Sequence, residues 1–198
     1  MSSTNEKSIC DLTKAINTEK VSKIYEYLKS TDFFSAPASH AYHHSYEGGL
    51  AAHCSEVFIN LGKLAGIIGP ESLSNEDKYL LAFGHDLAKI NFYELSSRNT
   101  KINGRWESVP CFSFTNRIDT FDHEVDSMYR LMRLVPDTDF NILQAIRYHH
   151  GAFNDSTKGD YSKYCRSNPL VLMLHTADMM SAIQGDLEMD KIRKQRGY

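Results

Sequence analysis

At 198 residues the chain fits one domain, large enough to bury a core without disulfides or a structural metal. Charged residues make up 24% and hydrophobic residues 41%, as in ordinary globular proteins, and the net charge of -3 lacks the basic excess that long nucleic acids require. Four cysteines (Cys10, Cys54, Cys111, Cys165) without a C-x-x-C pair argue against a disulfide framework or zinc knuckle. The polar "MSSTNEKSIC" start has no signal-peptide core, and "LVLMLHTADMM" is too short and too polar to span a bilayer. A cytoplasmic protein without a membrane partner is expected.

Helical periodicity dominates. Val21, Ile24, Tyr25 and Leu28 mark an amphipathic helix over roughly residues 19–30. Gly48-Gly49 permits a tight turn, after which Leu50, Cys54, Val57, Leu61 and Leu64 form the buried stripe of a second helix, with His53 at its edge. Ser74 and Asp77 resemble a capping box that opens a third helix through Tyr79, Leu80 and Phe83 into His85 and Asp86.

The stretch "TKINGRWESV" breaks this pattern. Its Asn103-Gly104 pair between two extended runs predicts a type I′ hairpin, as an insertion over about residues 98–112. A fourth helix begins near His123, with Val125, Met128, Met132 and Val135 on one face. A fifth carries Ile142, Leu143 and Ile146, ends in His149-His150 and is closed by Gly151. Asn168-Pro169 caps a sixth, with Val171, Leu174 and Asp178 along one side. The fold class expected is all-α with one small β-hairpin insertion. The chain divides into an N-terminal helical segment (1–32), a core (33–183) and a polar C-terminal tail (184–198).

Nine histidines are present. His53, His85-Asp86, His149-His150 and Asp178 each fall on or beside the apolar stripe of a different helix, and His123 at the start of another. A single inward histidine ordinarily finds a backbone partner. Polar groups on several inward faces at once are costly without partners, and a metal is an efficient common partner for imidazoles and carboxylates.

The order His53, His85-Asp86, His123, His149-His150, Asp178 resembles the two-metal H…HD…H…HH…D branch of the HD-domain superfamily of metal-dependent phosphohydrolases. "FFSAPASHAYHHSYEGGLAAH" is similar to the entry segment of HD-type exoribonucleases and of the HD domain of some conjugative relaxases. "LAFGHDLAKINFYELSSRN", "NGRWESVP" and "AIRYHHGAF" resemble small stand-alone bacterial HD hydrolases, and "LHTADMMSA" the superfamily's final Asp helix. The resemblance covers about residues 33–183. It departs at "FDHEVDS", where relatives often have glycine before the histidine and a lysine soon after it. Several close relatives also lack a histidine at the position of His150.

The resemblance implies an HD-type helical bundle, with one metal held by His53, His85, Asp86 and Asp178. A second would be held by Asp86, His123, His149 and His150, with Asp86 bridging. Two divalent ions about 3.5–4 Å apart lower the pKa of a shared water and offset charge on phosphoryl oxygens. The nitrogen and oxygen ligands suit Mn, Fe, Co, Ni or Zn without choosing among them. The implied function is metal-dependent hydrolysis of a phosphoester in a nucleotide or short oligonucleotide by an activated hydroxide. Asp86 and Lys89 are the catalytic candidates. Lys89 follows His85 at i, i+4 and matches the lysine common after the HD pair, placed to hold a phosphate oxygen. His43 and His44 are pocket-lining or supporting groups, and Arg98 matches a segment bordering the pocket in relatives. Trp106 is a candidate for stacking on a base or for packing on the domain. His40 is expected in an exposed loop, and a supporting role is expected for His175. Two alternatives stay open: an HD-type di-iron oxygenase, whose ligand order is contained in this one, and a non-catalytic nucleotide-binding domain. The sequence leaves the oligomeric state undetermined.

Overall fold

The computed structural model describes residues 2–102, 104–116, 121–156 and 158–196. Eight α-helices and one two-stranded sheet are found among them. The first two helices, α1 (Ser2–Ile16) and α2 (Glu19–Lys29), pack beside α3 (Gly49–Leu64) and α4 (Asn75–Gly84). The strands β1 (Tyr93–Ile102) and β2 (Arg105–Phe114) precede α5 (His123–Leu134) and α6 (Phe140–Arg147). The chain closes with α7 (Lys158–Ser167) and the long α8 (Pro169–Arg196), which lies along α3 and α6.

The caps read from the sequence are made. Ser74 Oγ accepts the Asp77 N–H at 3.0 Å and donates to Asp77 Oδ2 at 2.7 Å. Asn168 Oδ1 accepts the Leu170 N–H at 3.1 Å. Leu50, Cys54, Val57, Leu61 and Leu64 are all buried, as the periodicity of α3 requires. In α4 six consecutive residues, Tyr79 to Gly84, are buried, so this helix is enclosed on every side at its C-terminal end. Gly84 permits close approach to α5, because a Cβ there would stand 3.0 Å from Leu131.

Five features depart from the sequence reading. The helices α1 and α7 stand in addition to the six expected. The first buries Ile9 and Thr13 and packs Leu12 and Ile16 partly buried on the core, and the second buries none and packs only Tyr161, Tyr164 and Cys165 partly against it, short stripes that the sequence reading passed over. The hairpin is longer than residues 98–112, with direct pairing from Tyr93↔Phe114 to Ile102↔Arg105. The Asn-Gly signal locates the turn but says nothing of where the ladder stops. Gly104 has φ 84° as such a turn requires, whereas Asn103 lies outside the described residues. The helix expected to run into His85-Asp86, α4, stops at Gly84, so His85 is its C-cap and Lys89 belongs to a separate 3-10 turn, Leu87–Lys89. Likewise α6 ends at Arg147, before His149-His150, with Gly151 at φ 60°. The α5 face turned inward is Glu124, Ser127 and Leu131, while Met132 is 42% exposed. Burial of Glu124 is supported by polar partners, which an apolar pattern cannot reveal. The α8 helix also continues through most of the segment set apart as a polar tail, to Arg196.

Candidate metal centre

Five pieces of chain converge on one point. His53 comes from the second turn of α3, Asp178 from α8, and His123 from the first residue of α5. His85-Asp86 and His149-His150 come from the irregular segments directly after α4 and α6. Those two helices end where they do because each ring then turns back on its own last turn. His85 Nδ1 donates to the Ala82 carbonyl at 2.9 Å, and His149 Nδ1 to that of Ile146 at 2.7 Å. Both Nε2 atoms are thereby left to face the centre as acceptors.

Asp86 is the hub, with 2% of its side chain exposed. Its Oδ2 lies 3.4 Å from both His53 Nε2 and His85 Nε2, and 2.7 Å from Lys89 Nζ. Its Oδ1 lies 2.7 Å from His123 Nε2 and 3.9 Å from His149 Nε2. Asp178 Oδ1 is 3.1 Å from His53 Nε2 and 3.9 Å from His85 Nε2. On the other side His149 and His150 have ring centroids 4.3 Å apart, and the rings of His123 and His150 stack at 5.2 Å. Two compact donor groups result: His53 with His85 and Asp86, and His123 with His149 and His150. All seven residues singled out as ligands are therefore brought together.

Further groups hold these rings in orientation. His53 Nδ1 meets Ser181 Oγ at 2.9 Å, and that hydroxyl donates to Glu56 Oε2 at 2.7 Å. Glu56 in turn lies 3.2 Å from His44 Nε2. His150 Nδ1 meets Glu124 Oε1 at 3.0 Å, and Asn154 donates to the same oxygen. His175 Nδ1 donates to the carbonyl of His149 at 2.6 Å, as expected of a supporting residue. Sequence reasoning missed Glu56, Glu124 and Ser181. Ser181 and Glu56 carried a signal, since they follow Asp178 and His53 by three residues on the same helices.

The electrostatics follow from burial and crowding. Burial opposes charge on Asp86, but Lys89, His85 and hydrogen bonds from His123 and His53 hold its carboxyl well below the usual range. Burial also opposes charge on Asp178, whose side chain is 14% exposed, and His53 holds it low. Burial works against a proton on His53, yet Asp178 and Asp86 raise it to about 9. Burial lowers His85 and, further, His149. Lys89 loses hydration but gains Asp86 as partner and is pushed up to about 12.

His149 Nε2 is buried and finds no hydrogen-bond partner among the described residues. An acceptor aimed into a cluster of further donor atoms fits a cation. The donor set, imidazole nitrogens with two carboxylates of low pKa, suits a divalent metal.

The remaining candidates are placed unevenly. The His43 ring lies 5.4 Å from that of His53, with its Nε2 buried and unpartnered; burial, then Lys89, push its pKa down to about 3. His44 has no exposed surface and adopts φ 49°, with Gly185 of α8 leaving room for its ring, so it stands beneath the site. Arg98 is exposed and pairs with Val109 halfway along the hairpin. Trp106 is 72% exposed near the hairpin tip and does not pack into the core. His40 is half-buried rather than free in a loop, its ring 4.8 Å from that of Phe114.

Fold and site define a mostly α-helical protein with a buried His/Asp cluster that can hold metal ions. No helix among the described residues is long and apolar enough to cross a membrane. No family model, curated protein or solved structure matches the chain.

Proposed function

We propose that the protein is a metal-dependent phosphohydrolase of the HD-domain type, acting on a phosphoester of a nucleotide or short oligonucleotide. The observation that carries this reading is the Asp86 carboxylate, whose two oxygens face two separate histidine groups. His53, His85, Asp86 and Asp178 would hold one ion; Asp86, His123, His149 and His150 would hold a second. Divalent ions bound there supply Lewis-acid polarisation of a phosphoryl oxygen and a water of lowered pKa.

The protein's own groups complete the chemistry. Lys89 is charged and largely buried, 2.7 Å from the shared carboxylate, where its ammonium can hold a non-bridging phosphate oxygen. Such a cation favours an anionic substrate over oxygen chemistry. His43 is neutral at pH 7, and its unpartnered Nε2 offers a hydrogen bond beside His53 without adding charge. Ser181 and Glu124 fix the orientation of His53 and His150, so the donor set is arranged before a metal arrives.

The test is chromatographic product analysis after manganese-loaded protein meets nucleoside mono- and triphosphates, cyclic nucleotides and a short single-stranded oligonucleotide. Asp86→Ala is expected to lose metal, by elemental analysis, and to lower turnover by more than about 100-fold, beyond the loss typical of supporting residues, with helical content retained. Lys89→Ala is expected to keep metal and lose turnover. Full turnover in Asp86→Ala, or no turnover by the parent with any of Mn, Fe, Co, Ni or Zn, overturns the reading.

A further inference from the structure

The hairpin and the loop before α3 form a second feature beside the centre. Because Tyr93 pairs with Phe114 and Leu95 with Phe112, and alternate residues share a face, these four side chains stand on one side of the hairpin base. That side faces the loop before α3 across a groove of about 310 Å³, walled by Pro37, Tyr93, Leu95 and Phe112, with Asp32 and Glu47 among its lining. Aromatic contacts continue the wall: Phe114 lies 5.6 Å from Tyr93, 5.2 Å from Phe92 and 4.8 Å from His40.

Two short runs of chain tie this wall to the metal centre. Lys89 N–H donates to the Asp86 carbonyl at 3.0 Å and Phe92 N–H to that of Lys89 at 3.3 Å, so two successive turns link the shared carboxylate to the wall. In the facing loop, His40 touches Phe114 while His43 touches His53. Three residues of chain span at most about 11 Å. The backbone of His40 and His43 is therefore within about 11 Å, in a segment with one end at the aromatic wall and the other at the centre.

Resting on the phosphohydrolase reading, we infer that this groove holds the nucleoside end of the substrate, its base stacked on the aromatic wall while its phosphate meets Lys89 and the metal centre. The volume suits a small ligand, not a macromolecule. The charge decides the direction in which the ligand lies. Asp32 and Glu47 disfavour a polyphosphate in the groove, whereas the cationic Lys89 lies outside its lining, beside the shared carboxylate. Trp106 takes no part, since six residues of extended strand place it about 20 Å beyond Phe112.

Equilibrium dialysis of the manganese-loaded full chain with adenosine 5′-monophosphate and with ribose 5-phosphate separates base from phosphate. The parent is expected to prefer adenosine 5′-monophosphate by about tenfold or more, the scale of one base stacked on an aromatic ring. Phe112→Ala is expected to lose most of that preference with ribose 5-phosphate affinity unchanged. Leu95→Ala, at a position 77% exposed and so dispensable for folding, is expected to lose part of it. Trp106→Ala is expected to keep it. Equal affinity for the two probes, a preference that survives both groove variants, or its loss in Trp106→Ala overturns the groove. Base-selective binding abolished by Phe112→Ala supports the groove even if no phosphoester is turned over, a result that overturns hydrolysis instead. Turnover without base preference does the reverse.

Discussion

His53 binds its proton through the same nitrogen that would bind a metal. Burial alone would drive that proton off, but Asp178 at 3.1 Å and Asp86 at 3.4 Å hold it up to about pH 9. Metal binding at neutral pH must therefore displace it. Apparent metal affinity is expected to rise about tenfold per pH unit from pH 7 to 9 and then level off, as one displaced proton dictates. Metal titrations at constant ionic strength across that range would show it, and an affinity independent of pH would remove His53 from the ligand set. In chelated protein the sign is opposite for stability. The contribution of His53 is fully present below the ordinary histidine pKa and is lost as pH rises through about 9. Asp86 and Asp178, held low, contribute stability that is lost only in acid. At this scale the seven ligand candidates were legible in the sequence through the resemblance that their order and flanking segments carry, beside their places on or next to apolar helix faces. Glu124 was not. Its partners, His150 and Asn154, are supplied by another segment, and nothing in local spacing announces them.

Among the elements, α3 depends most on its entry. Gly48 has φ 79° and precedes the helix, and Gly49 lies so close under the His44 carbonyl that a Cβ would collide with it. Gly49→Ala is expected to displace the His43–His44 segment and cost about 1–3 kcal/mol, the range for overpacking. It should also weaken metal affinity, because His53 follows one turn later. Urea denaturation and metal titration would measure both, and an unchanged midpoint would mean that the loop absorbs the methyl without strain. The Gly-Gly turn and the caps at Ser74 and Asn168 were readable because their chemistry is local. The ends of α4 and α6 were not readable. Each helix stops where a histidine ring reaches back to its last carbonyls, and that choice is stabilised by groups from other helices.

At the scale of the whole molecule, the hairpin stands apart from the helical core, with most of its residues exposed beyond the base. Deleting residues 96–111 and joining 95 to 112 through a two-residue turn should leave the centre intact. The expected Tm shift is under about 4 °C, the equivalent of about 1 kcal/mol in a domain of this size, with metal affinity unchanged. Thermal denaturation with and without manganese would check this, and a larger loss would show that the outer strands brace the core. By itself the sequence determined the helical class, the hairpin turn and the chemical character of the site. These depend on periodicity, capping and residue type, all properties of neighbours along the chain. Tertiary structure alone decided that Asp86 turns one oxygen to each histidine group, that Glu124 is buried, that His44 lies beneath the site and that the hairpin base faces the entry loop. Each of these depends on which distant segments pack together, a choice settled by the burial of the common core.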